Sequence, residues 1–563
     1  MIPSSLKAQK RRATSMTVYF ILSLIVPNCV LLFTENYSAW TNAALLLLPL
    51  GFYMLWSVAM RRSGIMVWVG LPFMVLGAFQ IVLLYLFGNS VIATDMFTNV
   101  ITTNPGEATE LLSNIYPAVL LVAAIYIPLL WFAALEIAHK HHLRNAHRKT
   151  IAAIGAACFA AGCLFLIPAY SVSEEKHVLR DEIFPLNALY NANLSAQEFR
   201  KIIRYEKTSK GFKYNARRID SAHRREIYVY IIGEASRASS WQLFGYDRET
   251  NPELTRRNDI QLYDNVLTQS NTTHKSVPMI LSSVSTSEHD ELFRRTGLPA
   301  LFSEAGFRTC FISNQSPNGA MIDKLASENV GAMIYIRNPR LDMQMLDEMK
   351  KQVQLHPDDD MLFILHCYGS HFSYYQRYPR AFARFTPDDD VAVVAANVDI
   401  LRNSYDNSIV YTDHFLNSTI EYLKSLRGTC TAMLYCADHG EDLFDDRRGR
   451  FLHASPTTTY HQLHVAALSW FSDEYRSCFP DKVLWAENHR HAPATTHALF
   501  HTIADMASIS SDYVDLSVSL VSPQFDTLAP RFYLNDHNEA VPFVKTGLNG
   551  YDLEKFRASN IQL

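Results

Sequence analysis

The sequence predicts two parts: an α-helical membrane domain of five transmembrane helices, then a soluble α/β domain whose mostly parallel sheet is sandwiched by helices. Three observations carry this. Residues 1–170 hold only 10 Lys and Arg and 5 Asp and Glu, of the 51 and 55 in the 563-residue chain. Five apolar stretches in that part reach about 20 residues, the length a helix needs to cross a bilayer. Beyond residue 225, short β-rich apolar runs alternate with longer helical stretches, the pattern of a sheet buried on both faces. A net charge of -4 gives no support to a nucleic-acid binder. Eight cysteines in a chain this long exclude a disulfide-dense secreted scaffold.

The expected spans are Met16–Thr34, Ala39–Met60, Ile65–Phe87, Tyr116–Ala138 and Ile151–Tyr170. None has the polar face of a helix on a soluble protein. Charge sets their direction. Lys7, Lys10, Arg11 and Arg12 precede the first, Arg61 and Arg62 separate the second and third, and Lys140, Arg144, Arg148 and Lys149 separate the fourth and fifth. The other two connections carry only Glu35, then Asp95, Glu107 and Glu110. The positive-inside bias therefore puts the amino terminus in the cytoplasm and residue 171 onward outside, in the periplasm of a Gram-negative cell. A basic start before an apolar run is also the form of a signal peptide, but four further spans favour a retained anchor. Glu136 lies at the cytoplasmic end of the fourth span, where it can reach the interface, and receives no chemistry. The outward connection containing "FTNVITTNPGEATELL" is long enough to cover or feed the soluble domain, or to be a solvated loop.

Three segments follow: a membrane domain over 1–170, a juxtamembrane linker over 171–225 with an interfacial or short helical piece, and a soluble domain over 226–563 that holds every candidate site residue named below. The strand candidates are "IYVYII" (227–232), "FRTCFIS" (307–313), "MLFILHC" (361–367), "TAMLYC" (431–436) and "HVAALSWF" (464–471), with helices over Leu292–Ala305 and Ala395–Leu426 between them. In open α/β sheets ligands bind beyond the carboxyl ends of the strands. Glu234 follows the first run, His366 and His371 end or follow the third, and Asp438, His439 and Glu441 follow the fourth. His464 opens its strand, so the loop 447–464, with His453 and His461, has to arch over the same edge. One Asp-His pair is unremarkable as a turn or cap; three strand ends of this kind are not.

Carboxylate oxygen with imidazole nitrogen suits zinc, and manganese less well. Glu234, Asp438 and His439 on a metal leave a position open for a nucleophile. "TQSNTTHKSVPMIL" (268–281) supplies hydroxyls at the start of an apolar helical run, although a plain helix N-cap accounts for the same residue types.

These motifs are recognisable together. "GEASRASSWQLFGYDRETNPEL" (233–254), "NTTHKSVPMILS" (271–282), "LHCYGSHFSYYQRYP" (365–379), "YDNSIVYTDHFLNSTIEYLK" (405–424), "CADHGE" (436–441) and "LHVAALSWFSDE" (463–474) resemble the phosphoethanolamine transferases that modify lipopolysaccharide, membrane-anchored members of the sulfatase and alkaline-phosphatase superfamily. The resemblance runs from the first span to about residue 510. It implies that Thr273 is the nucleophile and becomes phosphoethanolaminated. It implies that Glu234, Thr273, Asp438 and His439 hold one zinc ion tightly. His371 and His464 match histidines that bind substrate phosphate or a second zinc, His366 resembles another pocket histidine, and His453 lines the acceptor side.

The implied reaction moves phosphoethanolamine from phosphatidylethanolamine to lipid A or core sugars of lipopolysaccharide, or to another glycan, at the inner membrane. A sulfatase- or phosphodiesterase-type hydrolase and a glycerophosphate transferase share this fold and stay open, as does a non-catalytic sensor of phosphoanions. Two departures bear on the acceptor. Gln269 and Met279 stand where many lipid A-modifying members carry disulfide-forming cysteines, and Asn271-Thr272-Thr273-His274-Lys275 replaces the usual small residues. The five soluble cysteines (Cys310, Cys367, Cys430, Cys436 and Cys478) are odd in number, and buried thiols are expected in the strands.

Overall fold

The five apolar stretches fold as six helices: α1 (Ser4–Thr34), α2 (Ala39–Ser57), α3 (Ser63–Val69), α4 (Leu71–Phe87) and, after α5 (Thr94–Thr102) and α6 (Pro105–Asn114), α7 (Tyr116–Ala138) and α8 (Asn145–Val172). The computed structural model describes residues 4–102, 105–173, 177–317, 319–337 and 341–563; part of the outward connection, residues 103–104, lies outside them. Helices α1, α2, α7 and α8 are each long and apolar enough to cross a membrane. The third stretch departs from a single helix: α3 and α4 meet at a 56° bend. Pro72 has no N–H to give the Trp68 carbonyl, so the helical ladder breaks there. Counting the bent pair as one span gives five.

Helices in an apolar solvent associate through close packing of small residues. Gly51 on α2 and Gly155 and Gly162 on α8 provide this. A Cβ on Gly51 would lie 2.4 Å from the Phe159 nitrogen, and one on Gly162 would lie 2.6 Å from that of Leu48. Positions 48 to 54 climb α2 as 162 to 155 descend α8, so the pair is antiparallel.

By packing, the chain divides into a helical unit (Met1–Phe97, Ile115–Ala196 and Arg447–Arg450) and a catalytic unit (Thr98–Asn114, Gln197–Asp446 and Phe451–Leu563). The division differs from one at residues 170 and 225. Val178, Ile183 and Phe184 are fully buried, and the Asn28 amide donates to the Phe184 carbonyl at 2.7 Å, so this part of the supposed linker belongs to the helical core. A helix, α9 (Leu186–Thr208), occupies most of what remains.

The catalytic unit is built on seven strands: β1 (Glu226–Gly233), β2 (Ile260–Tyr263), β3 (Arg308–Ser313), β4 (Ala332–Tyr335), β5 (Met361–His366), β6 (Cys430–Ala437) and β7 (Ala467–Phe471). Their order is β2-β7-β6-β1-β5-β3-β4. β7 is antiparallel to both of its neighbours and the remaining pairs are parallel. β1, β5 and β6 are buried along their whole length, which is why they read as unbroken apolar runs. The two edge strands, β2 and β4, carried no such run. The helix expected over 292–305 shortens to Leu298–Glu304 behind a 3₁₀ segment, and the long one spans Val398–Ser425. All eight cysteines are unpaired, and Cys310, Cys367, Cys430 and Cys436 are buried.

Candidate active site

Register brings the acids together. Gly233 pairs with Ala437 across β1 and β6, so Glu234 and Asp438 leave adjacent strands at the same level. Gly369, in the turn beyond β5, lies against them with a positive φ of 45°. A Cβ there would stand 2.8 Å from the Glu234 carbonyl, so the close approach needs glycine. A helix, α10 (Thr273–Ile280), then delivers the hydroxyl. Its N-cap is Thr272, whose side chain makes no capping bond. Thr273 is the first helical residue, and its oxygen is turned to the sheet rim instead.

Thr273 Oγ1 lies 3.0 Å from His439 Nε2 and 3.3 Å from each Glu234 oxygen. His439 Nε2 is 3.4 Å from Glu234 Oε1 and 3.3 Å from Asp438 Oδ2. A tetrahedral zinc ion with bonds of 2.0–2.1 Å holds its ligands about 3.3 Å apart. Thr273, Glu234 and His439 stand at the spacing of one coordination shell, and Asp438 meets that spacing from His439. The tautomer fits as well: His439 Nδ1–H donates to the Gly440 carbonyl at 3.0 Å, which leaves the Nε2 lone pair facing Thr273. Burial holds the His439 pKa down to about 4, so the ring is neutral and free to bind a cation. Asp438 is fully buried and accepts from Ala235 N, His439 N and Ser276 Oγ, all neutral donors. Burial pushes its pKa up, and a divalent cation would offset that cost.

The remaining histidines divide. His453 belongs to the site: its ring lies 4.1 Å from that of His439, tilted by 39°, and ligand atoms of Glu234, His439 and His453 lie within 4.8 Å of one another. Its Nδ1–H donates to the wholly buried Glu441 at 3.1 Å. His371 gives its Nδ1–H to the Phe372 carbonyl at 2.6 Å, and its pKa falls to about 3 through burial, Arg377 and the nearby His453 and His439. His366 stays in the strand, 2% exposed, bonded to Ser313 Oγ at 3.1 Å.

His464 does not meet the phosphoryl site suggested for it. Its Nδ1 bonds the Tyr460 hydroxyl and its Nε2 the Asp264 carbonyl, at 3.0 and 2.9 Å. The reason is positional, since it opens the antiparallel strand and both ring nitrogens are taken by local partners. It lines a separate polar cavity of about 1140 Å³ with Arg237, His461, Tyr551 and Lys555, a cavity that Thr273 and His439 do not line.

Two supporting residues were not singled out from sequence. Gln315 donates its amide to Glu234 Oε2 and to the Cys367 carbonyl, both at 2.9 Å. It lies two residues beyond β3, so the strand-end rule that found Glu234 reaches it too. Asn99, in the outward connection, bonds His274 beside the threonine at 2.9 Å, so the described part of that connection packs with the catalytic unit rather than standing free as a solvated loop.

Residues 226–509, half of the chain, match the sulfatase family model. The chain belongs to the sulfatase family. Residues 71–198 match a second family model, described as phosphoethanolamine transferase EptA/EptB. Among curated relatives is the Kdo(2)-lipid A phosphoethanolamine 7''-transferase of Escherichia coli K12, 30% identical over 277 residues. That alignment covers 47% of this chain and 47% of the relative, so it spans about half of the curated protein. The solved lipooligosaccharide phosphoethanolamine transferase A (EptA) of Neisseria meningitidis shares the fold: TM-score 0.73 at 22% identity, over 90% of this chain and 97% of that one. The periplasmic domain of EptC from Escherichia coli, solved in complex with Zn, has a TM-score of 0.53 at 25% identity, covering 59% of this chain and 96% of that domain.

Proposed function

We propose that this enzyme transfers phosphoethanolamine from phosphatidylethanolamine, through an ester on Thr273, to lipid A or core sugars of lipopolysaccharide. The observation that carries the proposal is the placement of the Thr273 oxygen within 3.3 Å of His439 Nε2 and both Glu234 oxygens at the sheet rim. Glu234, Thr273, Asp438 and His439 are the residues that would hold a zinc ion. Zinc, when bound there, supplies the positive charge that lets a threonine hydroxyl shed its proton near neutral pH.

The chain's own groups do the rest. Thr273 Oγ attacks the donor phosphorus; a phosphorus–oxygen bond forms to threonine while the bond to diacylglycerol breaks, and diacylglycerol leaves with a proton. An acceptor oxygen then attacks the same phosphorus and Thr273 recovers its hydroxyl. His371 and His453, both neutral and anchored through Nδ1–H, present the Nε2 lone pair, which can accept the proton of the incoming hydroxyl and then return it to the leaving oxygen. Gln315 fixes the Glu234 carboxylate, and Ser276 fixes that of Asp438. The anchor confines this rim near a lipid donor and so raises its effective concentration. Basic residues at every connection on the amino-terminal side support a cytoplasmic amino terminus and a periplasmic catalytic unit in the inner membrane.

The test uses the purified full-length enzyme in phosphatidylethanolamine vesicles with lipid A added. Diacylglycerol release and acceptor modification should rise together, and Thr273→Ala should lose on the order of 100-fold or more of both. Release of free phosphoethanolamine at a rate independent of acceptor would instead identify a hydrolase.

A further inference from the structure

Glu136 sits two residues before the end of α7 and is 7% exposed, against the sequence-based expectation that it reaches the interface. One oxygen accepts from His141 Nδ1–H at 2.8 Å; the other, Oε2, has no hydrogen-bond partner. The Glu136 side chain borders a cavity of about 760 Å³ in the helical unit, lined also by Arg12, Met16, Tyr19, Phe132 and His139 among others, with the orphan oxygen buried in its wall. Among the described residues Arg12 makes no ion pair, although it lines the same cavity. Met16, Phe132 and Leu135 supply apolar lining, and Phe132 and Leu135 continue onto the exposed face of α7, being 50% and 39% exposed.

These features assemble at one depth. Arg12 lies four residues before Met16, where the apolar stretch of α1 begins, and Glu136 lies just inside the opposite end of α7. The cavity therefore stands at the level of lipid headgroups on the side of the basic connections. A buried carboxylate oxygen that lacks a donor is expensive to maintain, and an intramembrane acid calls for a named partner.

We infer that this cavity binds the headgroup of an aminophospholipid from the leaflet on the amino-terminal side. The primary ammonium donates to Glu136 Oε2, the phosphate lies against the Arg12 guanidinium, and the acyl chains run along Phe132 and Leu135. A primary ammonium has three N–H donors for the orphan oxygen. A quaternary choline has none, and a phosphatidylglycerol head offers no cation. The inference does not depend on the transfer reaction, because it concerns the other unit and none of the Thr273 residues.

The experiment places the full-length protein in vesicles containing a phosphatidylethanolamine, a phosphatidylcholine or a phosphatidylglycerol with a photoactivatable acyl chain, and maps cross-links by peptide mass spectrometry. The ethanolamine lipid should label peptides spanning 12–19 and 132–141 at least about 5-fold more than the other two. Glu136→Gln, which keeps size and the His141 contact, should bring its labelling down to their level. Arg12→Gln should lower labelling without touching the carboxylate, and thermal unfolding of each variant checks that the helical unit is intact. Equal labelling by all three lipids in the unmodified protein, or full ethanolamine preference in a folded Glu136→Gln, would overturn the inference and leave a cavity filled only by water.

Discussion

Glu234 and Glu136 are both buried glutamates, at 1% and 7% exposure, and their surroundings are opposite. Glu234 is held by Thr273 through both oxygens, by Gln315 and against His439, on adjacent strand ends brought level by their register. Glu136 has one histidine partner and an oxygen with none, on a helix end beside an open cavity. The first is a preorganised site in which every group already has a place, as charge-stabilising catalysis requires. The second is a half-complete contact that a ligand can finish. Burial of an acid alone does not distinguish a catalytic ligand from a recognition site; the satisfaction of its second oxygen does.

Breaking the rim should have the largest effects. His439→Ala or Asp438→Asn removes one of the four proposed ligands, and elemental analysis should show bound zinc falling well below the parent's, with transfer lost by on the order of 100-fold or more. Gln315→Ala leaves Glu234 in place and removes only its orienting amide; residues that orient metal ligands typically account for about 10- to 100-fold in affinity or activity, and we expect the lower end. Equal activity of Gln315→Ala and the parent would show that Glu234 needs no such support.

A smaller effect follows from the buried histidines. Burial holds His366, His461 and His464 at pKa values of about 4, against about 6.5 in an unfolded chain. Between those values the unfolded chain binds more protons than the folded one. Stability should therefore be fully present above pH 6.5 and fall as pH drops toward 4, a loss that thermal unfolding at stepped pH will read. In the helical unit, Gly162→Leu should lower the unfolding temperature by several degrees, because its side chain meets the Leu48 backbone. Glu136→Gln should have the least effect of all on transfer, leaving the rate within about 2-fold while changing lipid selectivity; a large loss of turnover would erase the contrast between the two acids.

Much of this architecture was legible because parallel strands buried on both faces are conspicuous, and the residues after them are where ligands bind. Glu234, Asp438 and His439 followed from that rule. Thr273 did not, since residue type alone allowed a helix cap; the nucleophile role proposed for it comes through the resemblance. His464 misled because it also stands at the rim, yet a histidine opening an antiparallel strand finds its partners in the local backbone and in Tyr460. His453, on an irregular loop, has no periodicity to announce it; the loop's forced path over the rim and the resemblance brought it forward, and its ring lies against that of His439. Gln315 was hidden by chemistry, being neither acid nor ligand. The break between α3 and α4 was written in Gly70 and Pro72, but hydropathy averages over a window and does not register a missing N–H.

The most direct test is intact-protein and peptide mass spectrometry of the full-length enzyme, quenched after brief exposure to phosphatidylethanolamine vesicles without acceptor. The account predicts a phosphoethanolamine adduct on Thr273 that disappears when lipid A is added. Transfer that proceeds with the adduct on another residue, or turnover in Thr273→Ala at the parent rate, would contradict it.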